Sequence, residues 1–229
     1  SNTNSNTNTT NNKPATASVV STLIFDVDDT LYDVASGFTA HRNGPVIWKY
    51  MVDHLGFETQ ETAKALRDEY FEQYHSTAKA LTVAQTEGKF PGGAPVFDAK
   101  HMSEYWVNHL DYDLLFGTHA HPTPEESRRA KAAFGKALAD CPATLVAFSN
   151  GPRSYVTKVL DQLGLLELFG TDRRSKDGAL VWGVDDVLPH CKPEAEAFCK
   201  IFAKLEERAS NHNHNHSNSN SNSNSNSNN

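Results

Sequence analysis

Four acidic residues follow an apolar segment near the amino-terminal end, in the stretch "LIFDVDDTLYD" at 23–33. Asp26 and Asp28 are two residues apart, so an extended chain brings both carboxylates near one pocket. Two carboxylates can divide the work of phosphoryl transfer, one attacking phosphorus and the other protonating the leaving oxygen. Facing an anionic substrate, they need a compensating cation, usually Mg²⁺. The alternative interpretation is that Asp28, Asp29 and Thr30 only cap a helix or fill a turn.

Two further places in the chain carry side chains that suit a phosphate. Ser149 and Asn150 end an apolar segment just before a predicted helix, an arrangement that favours a phosphoryl oxygen. Lys192 stands before Pro193 and another predicted helix, where an ammonium group could neutralise charge on a transferring group. Taken singly, the first is also compatible with an ordinary loop and the second with a solvated lysine.

Strands and helices alternate around these side chains. Val19–Val27 and Ala143–Asn150 are apolar runs of strand length, typical of central parallel strands, and Ala179–Val184 predicts a third, shorter strand. Pro152 and Gly164 mark the start and stop of a helix after the second strand. Residues 193–208 predict a final helix with an apolar stripe. In parallel sheets the carboxyl ends of the strands share one edge, so the polar residues that follow them are expected to meet there.

More than 100 residues with mostly helical periodicity separate the first two strands. Predicted helices cover Pro45–Leu55, Gln60–His75 and Ala99–Leu110, with a turn-rich break at Glu87–Pro95. The sequence "TPEE" at 123–126 predicts a helix start with Thr as N-cap, and that helix extends to about Ala139. The predicted fold is therefore an α/β, Rossmann-like parallel sheet with an inserted helical cap.

Composition limits the class of protein. The chain has 229 residues, a formal charge of −7 and no Lys/Arg-rich run, which argues against a nucleic-acid partner. No apolar run reaches a membrane span, no signal peptide is visible, and three cysteines lack a disulfide-framework spacing, so a cytoplasmic protein is expected. We predict disordered tails at 1–17 and 210–229, a core at 18–34 and 120–209, and a cap at 35–119.

Three motifs together resemble the haloacid dehalogenase (HAD) superfamily of phosphatases: "DVDDT" at 26–30, "FSN" at 148–150 and "CKP" at 191–193. The resemblance extends over roughly residues 20–205. It is closest to pyrimidine 5′-nucleotidase-like members, through "FDVDDTLY", "SNGPRSYVTKVLDQLGLLELF" and "HCKPEAEAF".

The resemblance implies a role for each matching residue. Asp26 would be the nucleophile, and Asp28 the general acid and then the base for the hydrolytic water. Ser149 would bind a phosphoryl oxygen, with Asn150 beside it, and Lys192 would stabilise charge around Asp26. The Asp26 carboxylate and the Asp28 backbone carbonyl would hold Mg²⁺. The implied function is a Mg²⁺-dependent phosphomonoesterase acting on a small phosphorylated substrate, a nucleoside monophosphate for the nucleotidase-like members.

A fourth, acidic motif of the family is missing. Where it would follow Lys192, the chain reads "RASNHNHNHSNSNSN", and the last acidic residue is Glu207. Asp185–Asp186 precedes Lys192, so we assign that pair to a loop. Mg²⁺ would lose one carboxylate, and Val19–Val27 would become an exposed apolar edge that favours aggregation. These features favour an alternative: a truncated or degenerate, non-catalytic relative that binds a phosphorylated ligand or a partner.

Overall fold

The computed structural model describes residues 20–117, 123–170 and 180–219. The strands are β1 (Thr22–Phe25), β2 (Thr144–Phe148) and β3 (Val181–Trp182). The α-helices are α1 (Phe38–His41), α2 (Ile47–Leu55), α3 (Gln60–Tyr74), α4 (Thr77–Thr86), α5 (Ala99–His109), α6 (Pro124–Ala139), α7 (Arg153–Gln162) and α8 (Ala195–Ser219). Short 3₁₀ turns lie at Val34–Ser36, Tyr112–Phe116, Leu166–Phe169 and Val184–Asp186, and a π-helical segment lies at Arg42–Val46.

The three strands form one parallel sheet in the order β1–β2–β3. Leu23 lies opposite Leu145, and Ala147 lies opposite Val181. The prediction of a mixed α/β fold with a parallel sheet is confirmed at this level. In the part of the chain that the structure describes, β1 pairs with β2 on one side and with no strand on the other.

Local signals explain why the main elements start and stop where they do. The Thr123 hydroxyl accepts a hydrogen bond from the Glu126 backbone N–H at 3.2 Å and so caps α6, as predicted. Pro152 is the N-cap of α7 rather than its first helical residue. Gly164 follows α7 with φ of 70°, a left-handed conformation that glycine adopts without strain.

The helices between β1 and β2 share a hydrophobic core with the sheet. α5 packs on α7, which in turn contacts β3. One hydrophobic core includes Val146 of the sheet, Val156 of α7 and Ile47 of α2. The cap is therefore docked onto the core, and a site between them is preformed. The predicted boundary at 119/120 lies outside the described residues.

The carboxyl-terminal tail predicted at 210–229 needs a correction. α8 begins at Ala195 and continues to Ser219, beyond the predicted end at 208. An existing helix extends easily, because each added residue gains one hydrogen bond while nucleation is the costly step. The rest of that tail, and the predicted tail at 1–17, lie outside the described residues. Among the described helices, none has the length and apolar character needed to cross a membrane.

The acidic pair Asp185–Asp186 lies in a 3₁₀ turn, as the loop assignment predicted. Asp185 Oδ1 accepts a hydrogen bond from the Arg153 backbone N–H at 2.7 Å, at the first residue of α7. Asp186 Oδ2 accepts one from Arg153 Nε at 2.8 Å and one from the Gly183 N–H at 2.8 Å. These carboxylates hold the amino end of α7 in place.

Candidate functional site

A cavity of about 200 Å³ lies between the sheet edge and the cap. The core contributes Asp26, Asp28 and Asp29, just after β1, Asn150 and Gly151, after β2, and Lys192, before α8. The cap contributes the remaining wall. Cap residues that line the cavity are Thr39, Arg42, Asn43, Phe71, His75, Ser76, Thr77 and Trp106.

Asp26 and Lys192 meet at this cavity, although 166 positions separate them in the chain. Lys192 Nζ donates to Asp26 Oδ1 at 2.6 Å and to the Phe148 carbonyl at 2.8 Å. The Val27 backbone N–H also donates to Asp26 Oδ1, at 2.8 Å. Asp26 Oδ2 accepts no hydrogen bond from the described residues, and half of the side chain is exposed. Asp26 thus presents one uncommitted carboxylate oxygen next to a cation.

Asp28 also lines the cavity, but its carboxylate lies in a largely buried cage of donors. Its Oδ1 accepts hydrogen bonds from Arg42 Nη1 at 2.7 Å, the Tyr32 hydroxyl at 2.8 Å and the Tyr155 hydroxyl at 2.6 Å. Its Oδ2 accepts one from the Ser149 hydroxyl at 2.6 Å. The protein thus supplies three donors to Asp28 Oδ1 and one to Oδ2.

The cage decides the charge of Asp28. Burial by itself raises a carboxyl pKa, but the Arg42 guanidinium acts in the opposite direction and the hydroxyl hydrogen bonds add to it. The pKa of Asp28 is held below its usual range as a result. The same burial, together with the negative charge of Asp28, raises the pKa values of Tyr32 and Tyr155. Asp28 is therefore an ionised acceptor here, and both tyrosines are hydrogen-bond donors.

Ser149 does not lie where a phosphate-binding hydroxyl was expected. It is fully buried and is not among the residues that line the cavity. Its hydroxyl donates to Asp28 and accepts from the Gly151 N–H at 2.8 Å. The physical reason is that the buried Asp28 carboxylate needs a donor on its second oxygen. In this conformation Ser149 completes the cage.

Asn150 lines the cavity, but its amide is engaged in holding two loops together. Its Oδ1 accepts from the Lys192 backbone N–H at 2.8 Å, and its Nδ2 donates to the Lys192 carbonyl at 3.0 Å. Nδ2 also donates to the carbonyl of His75 at 3.3 Å. The Ser76 hydroxyl donates to the Asn150 carbonyl at 3.0 Å. Asn150 therefore positions Lys192 and the cap turn at His75, a role that the predicted phosphate contact did not include.

The sequence interpretation assigned no role in the site to Arg42, His75 or Tyr155. Arg42 is buried, and its guanidinium lies 4.7 Å from the centroid of the Tyr155 ring. The spacing of residues in the sequence does not indicate a site role for Arg42 or Tyr155, because their contacts depend on how the cap packs against the core. One weak signal was present for His75. It precedes Ser76, the N-cap of α4, and the sequence interpretation did not predict that helix.

The cavity offers few oxygen ligands for Mg²⁺. Among the lining carboxylates, Asp26 Oδ2 accepts no hydrogen bond from the described residues, whereas Asp28 accepts four from its cage and Asp29 accepts one from the Thr39 hydroxyl. One carboxylate is compatible with Mg²⁺ that keeps several waters and also binds a substrate phosphate.

A different cluster of possible metal ligands, His190, Glu194 and Glu196, has its ligand atoms within 4.8 Å of one another. Glu194 is already paired with the ammonium of Lys79 and with His190 Nδ1, so the charge that would attract a cation is largely neutralised. This cluster lies outside the cavity between core and cap.

Comparison with known proteins adds no identification. No protein-family model matches the chain, and no curated protein matches its sequence.

Proposed function

We propose that the protein is a Mg²⁺-dependent phosphomonoesterase with a HAD-like core that works through an aspartyl-phosphate. The observation that carries the proposal is the Asp26–Lys192 pair, 2.6 Å apart at the carboxyl end of β1 and inside a cavity closed by the cap. A carboxylate with one free oxygen beside an ammonium group suits attack on a phosphate ester.

The proposed reaction has two steps. Asp26 Oδ2 attacks phosphorus and the bond to the leaving oxygen breaks, which gives an aspartyl-phosphate and an alcohol after that oxygen takes a proton. Water then attacks the phosphorus of the aspartyl-phosphate and releases phosphate and the Asp26 carboxylate. Lys192 Nζ offsets negative charge that builds up beside Asp26 in both steps. The family resemblance assigns the proton transfers to Asp28.

Mg²⁺ would be held by Asp26 and the Asp28 backbone carbonyl, and when bound it would neutralise phosphate charge. With one carboxylate in the donor set, we expect weak Mg²⁺ affinity in the absence of a phosphate. The substrate class suggested by the resemblance is a pyrimidine nucleoside monophosphate. Phe71 and Trp106, on the cap side of the cavity, are the aromatic side chains that could contact a base.

The test is phosphate release from a panel of phosphate esters that includes uridine and cytidine monophosphates, measured with Mg²⁺ and with EDTA. Asp26→Asn should abolish turnover. Asp161→Asn, an exposed position on α7, is the matched control and should leave turnover unchanged. Turnover that persists in EDTA or in Asp26→Asn would overturn the proposal.

One observation favours a second candidate, a non-catalytic relative that binds a phosphorylated ligand. The family motifs assign Asp28 and Ser149 to catalysis, but here the Ser149 hydroxyl donates to Asp28 at 2.6 Å, and Ser149 does not line the cavity. For this candidate we expect calorimetry to detect binding of a nucleoside monophosphate while no phosphate is released. Release that depends on Asp26 would exclude it.

A further inference from the structure

The cap side of the cavity carries three hydroxyl groups, and two of them already donate to the protein. The Thr39 hydroxyl donates to Asp29 Oδ1 at 2.7 Å, and the Ser76 hydroxyl donates to the Asn150 carbonyl at 3.0 Å. The third belongs to Thr77, which is 4% exposed and lines the same cavity, yet its hydroxyl donates to no residue that the structure describes. Because a buried donor without an acceptor is costly, this proton is available to a ligand in the cavity.

A buried arginine behind the cavity wall limits where the Thr77 proton can go. Arg67 of α3 is 5% exposed, and its Nη2 donates to Thr77 Oγ1 at 3.2 Å. A guanidinium can only donate, so the Thr77 oxygen is the acceptor on that side and its single proton turns to another partner. Arg67 also pairs with Asp68, but that side chain is 40% exposed, which leaves the buried charge only partly compensated. A neighbouring positive charge makes the Thr77 hydroxyl a stronger donor.

Aromatic side chains flank this hydroxyl on the cap wall. The Arg67 guanidinium carbon lies 3.8 Å from the centroid of the Phe71 ring, and Phe71 lines the cavity. Trp106 of α5 lines it as well, and its buried indole N–H has no hydrogen-bond partner among the described residues. The wall therefore combines flat apolar surfaces with buried donors that lack acceptors. Such a wall suits a planar group that carries acceptor oxygens.

Hydrogen bonds connect this part of the cap to the reacting pair. Thr77 is the first residue of α4 and directly follows the N-cap Ser76, whose hydroxyl donates to the Asn150 carbonyl. Asn150 Oδ1 accepts from the Lys192 backbone N–H at 2.8 Å, and Lys192 Nζ donates to Asp26. Thr77 and Asp26 line the same cavity. One small ester can therefore place its phosphate at Asp26 and its leaving group at Thr77.

We propose that Thr77 is a specificity-determining residue that donates a hydrogen bond to a carbonyl oxygen on the leaving group. The substrate would then carry a planar, carbonyl-bearing ring such as uracil, with Phe71 against the ring. The inference rests on the proposed phosphomonoesterase function and deepens it. Arg67 is a positioning residue that holds the Thr77 oxygen and polarises its proton. A ring without an acceptor oxygen leaves this proton unpaired and binds less well, while the phosphoryl-transfer steps stay the same.

The test compares two esters that share the ribose and the phosphate but differ in the ring. Uridine monophosphate has carbonyl oxygens, whereas its analogue with phenyl in place of uracil keeps a flat ring and has none. In the wild type we expect kcat/KM to be about tenfold higher for uridine monophosphate. Thr77→Val removes the hydroxyl and keeps the branched shape. It should lower kcat/KM for uridine monophosphate by about tenfold and leave that of the phenyl analogue unchanged.

Three further variants separate recognition from folding. Thr77→Ser keeps the hydroxyl and should keep the preference for uridine monophosphate. Thr77→Ala also lacks the hydroxyl and should show the same selective loss as Thr77→Val, even if valine disturbs the start of α4. Thr82→Val is the matched control, because Thr82 is exposed on the same helix and its hydroxyl donates to the Ala78 carbonyl at 2.8 Å. It should behave as wild type with both esters.

Three outcomes would overturn the inference alone. Equal kcat/KM for the two esters in the wild type would do so whatever the variants show. A preference that keeps its full size in Thr77→Val would assign the carbonyl oxygen to another donor, and equal losses with both esters would make Thr77 structural. In each case turnover that requires Asp26 leaves the phosphomonoesterase function intact. A wild type that releases no phosphate from either ester would overturn the function and the inference together.

Discussion

The Arg42 guanidinium of the cap donates to the Asp28 carboxylate of the core at 2.7 Å, and both side chains are largely buried. The pair joins the segment after β1 to the start of the cap helices, and Tyr155 of α7 completes it from the third side. Because a buried charge needs its partner, this contact ties cap docking to the integrity of the site.

Removing the Arg42 guanidinium should therefore destabilise the whole protein. We expect Arg42→Met to lower the free energy of unfolding by about 3–5 kcal/mol, because Asp28 is left as a buried, uncompensated charge. Denaturant unfolding followed by tryptophan fluorescence measures this. Arg129→Met breaks an exposed pair with Glu125 and should cost less than about 1 kcal/mol. Equal losses in the two variants would contradict the buried-pair interpretation.

The double variant Arg42→Met with Asp28→Asn checks the same pair in another way. Removing both charges also removes the uncompensated one, so the double variant should be less destabilised than the sum of the two single variants. Additive losses would mean that the two side chains act independently.

Asn150→Ala should weaken both loops that the amide joins. The Lys192 backbone N–H loses its acceptor, and we expect a loss of about 1–3 kcal/mol in the free energy of unfolding. Turnover should fall with it, because Lys192 and His75 lose their common anchor. Gln162→Ala, whose amide donates to the neighbouring Asp161 at 3.4 Å and to no other described residue, is the control and should be near neutral. An Asn150→Ala variant with wild-type turnover would contradict the positioning role.

Acid should destabilise the contact between α4 and the start of α8. The Lys79 hydrogen bond, helped by His190 and resisted by partial burial, lowers the pKa of Glu194 to about 2 from an ordinary 4.5. A depressed carboxyl pKa stabilises the folded state above the ordinary value, and that stability is lost as pH falls from about 4.5 towards 2. Glu194 is a third exposed, so the effect is reduced by solvent.

Thermal unfolding measured at pH 5 and at pH 2.5 tests this. The wild type should lose more stability over that interval than Glu194→Gln, which has no carboxyl group to titrate there. Glu207→Gln, at an exposed pair on α8, should lose as much as the wild type. The same pH dependence in wild type and Glu194→Gln would show that other groups cause the acid sensitivity.

The free side of β1 should make the protein prone to aggregation. Val20, next to β1, is 63% exposed, and in the described sheet β1 has a partner on one side only. Lysine at such an edge discourages pairing with another chain. We expect Val20→Lys to slow aggregation in concentrated solution, measured by light scattering. Val96→Lys, at an 86% exposed valine of the cap loop, should not. Equal effects would point to net charge as the cause.

Local patterns in the sequence were enough to predict most of the elements. β-branched runs predicted β1 and β2, and the Thr123 cap and the Gly164 stop predicted α6 and α7 to within a residue or two. These signals work because capping, turn conformation and periodicity depend on neighbours in the chain. α4 was missed because its alanine-rich face shows little apolar contrast, and its cap, Ser76, stands next to a residue in an unusual conformation.

The sequence by itself determined that acidic, polar and basic side chains follow strand ends, and parallel strands then bring Asp26 and Lys192 to one edge. Only the tertiary structure decided what each does there. Asp28 meets Arg42 and Tyr155, 14 and 127 positions away, because the cap docks on α7. Because a buried carboxylate needs hydrogen-bond donors, the Ser149 hydroxyl donates to Asp28 and does not line the cavity, whereas Asn150 and His75 do.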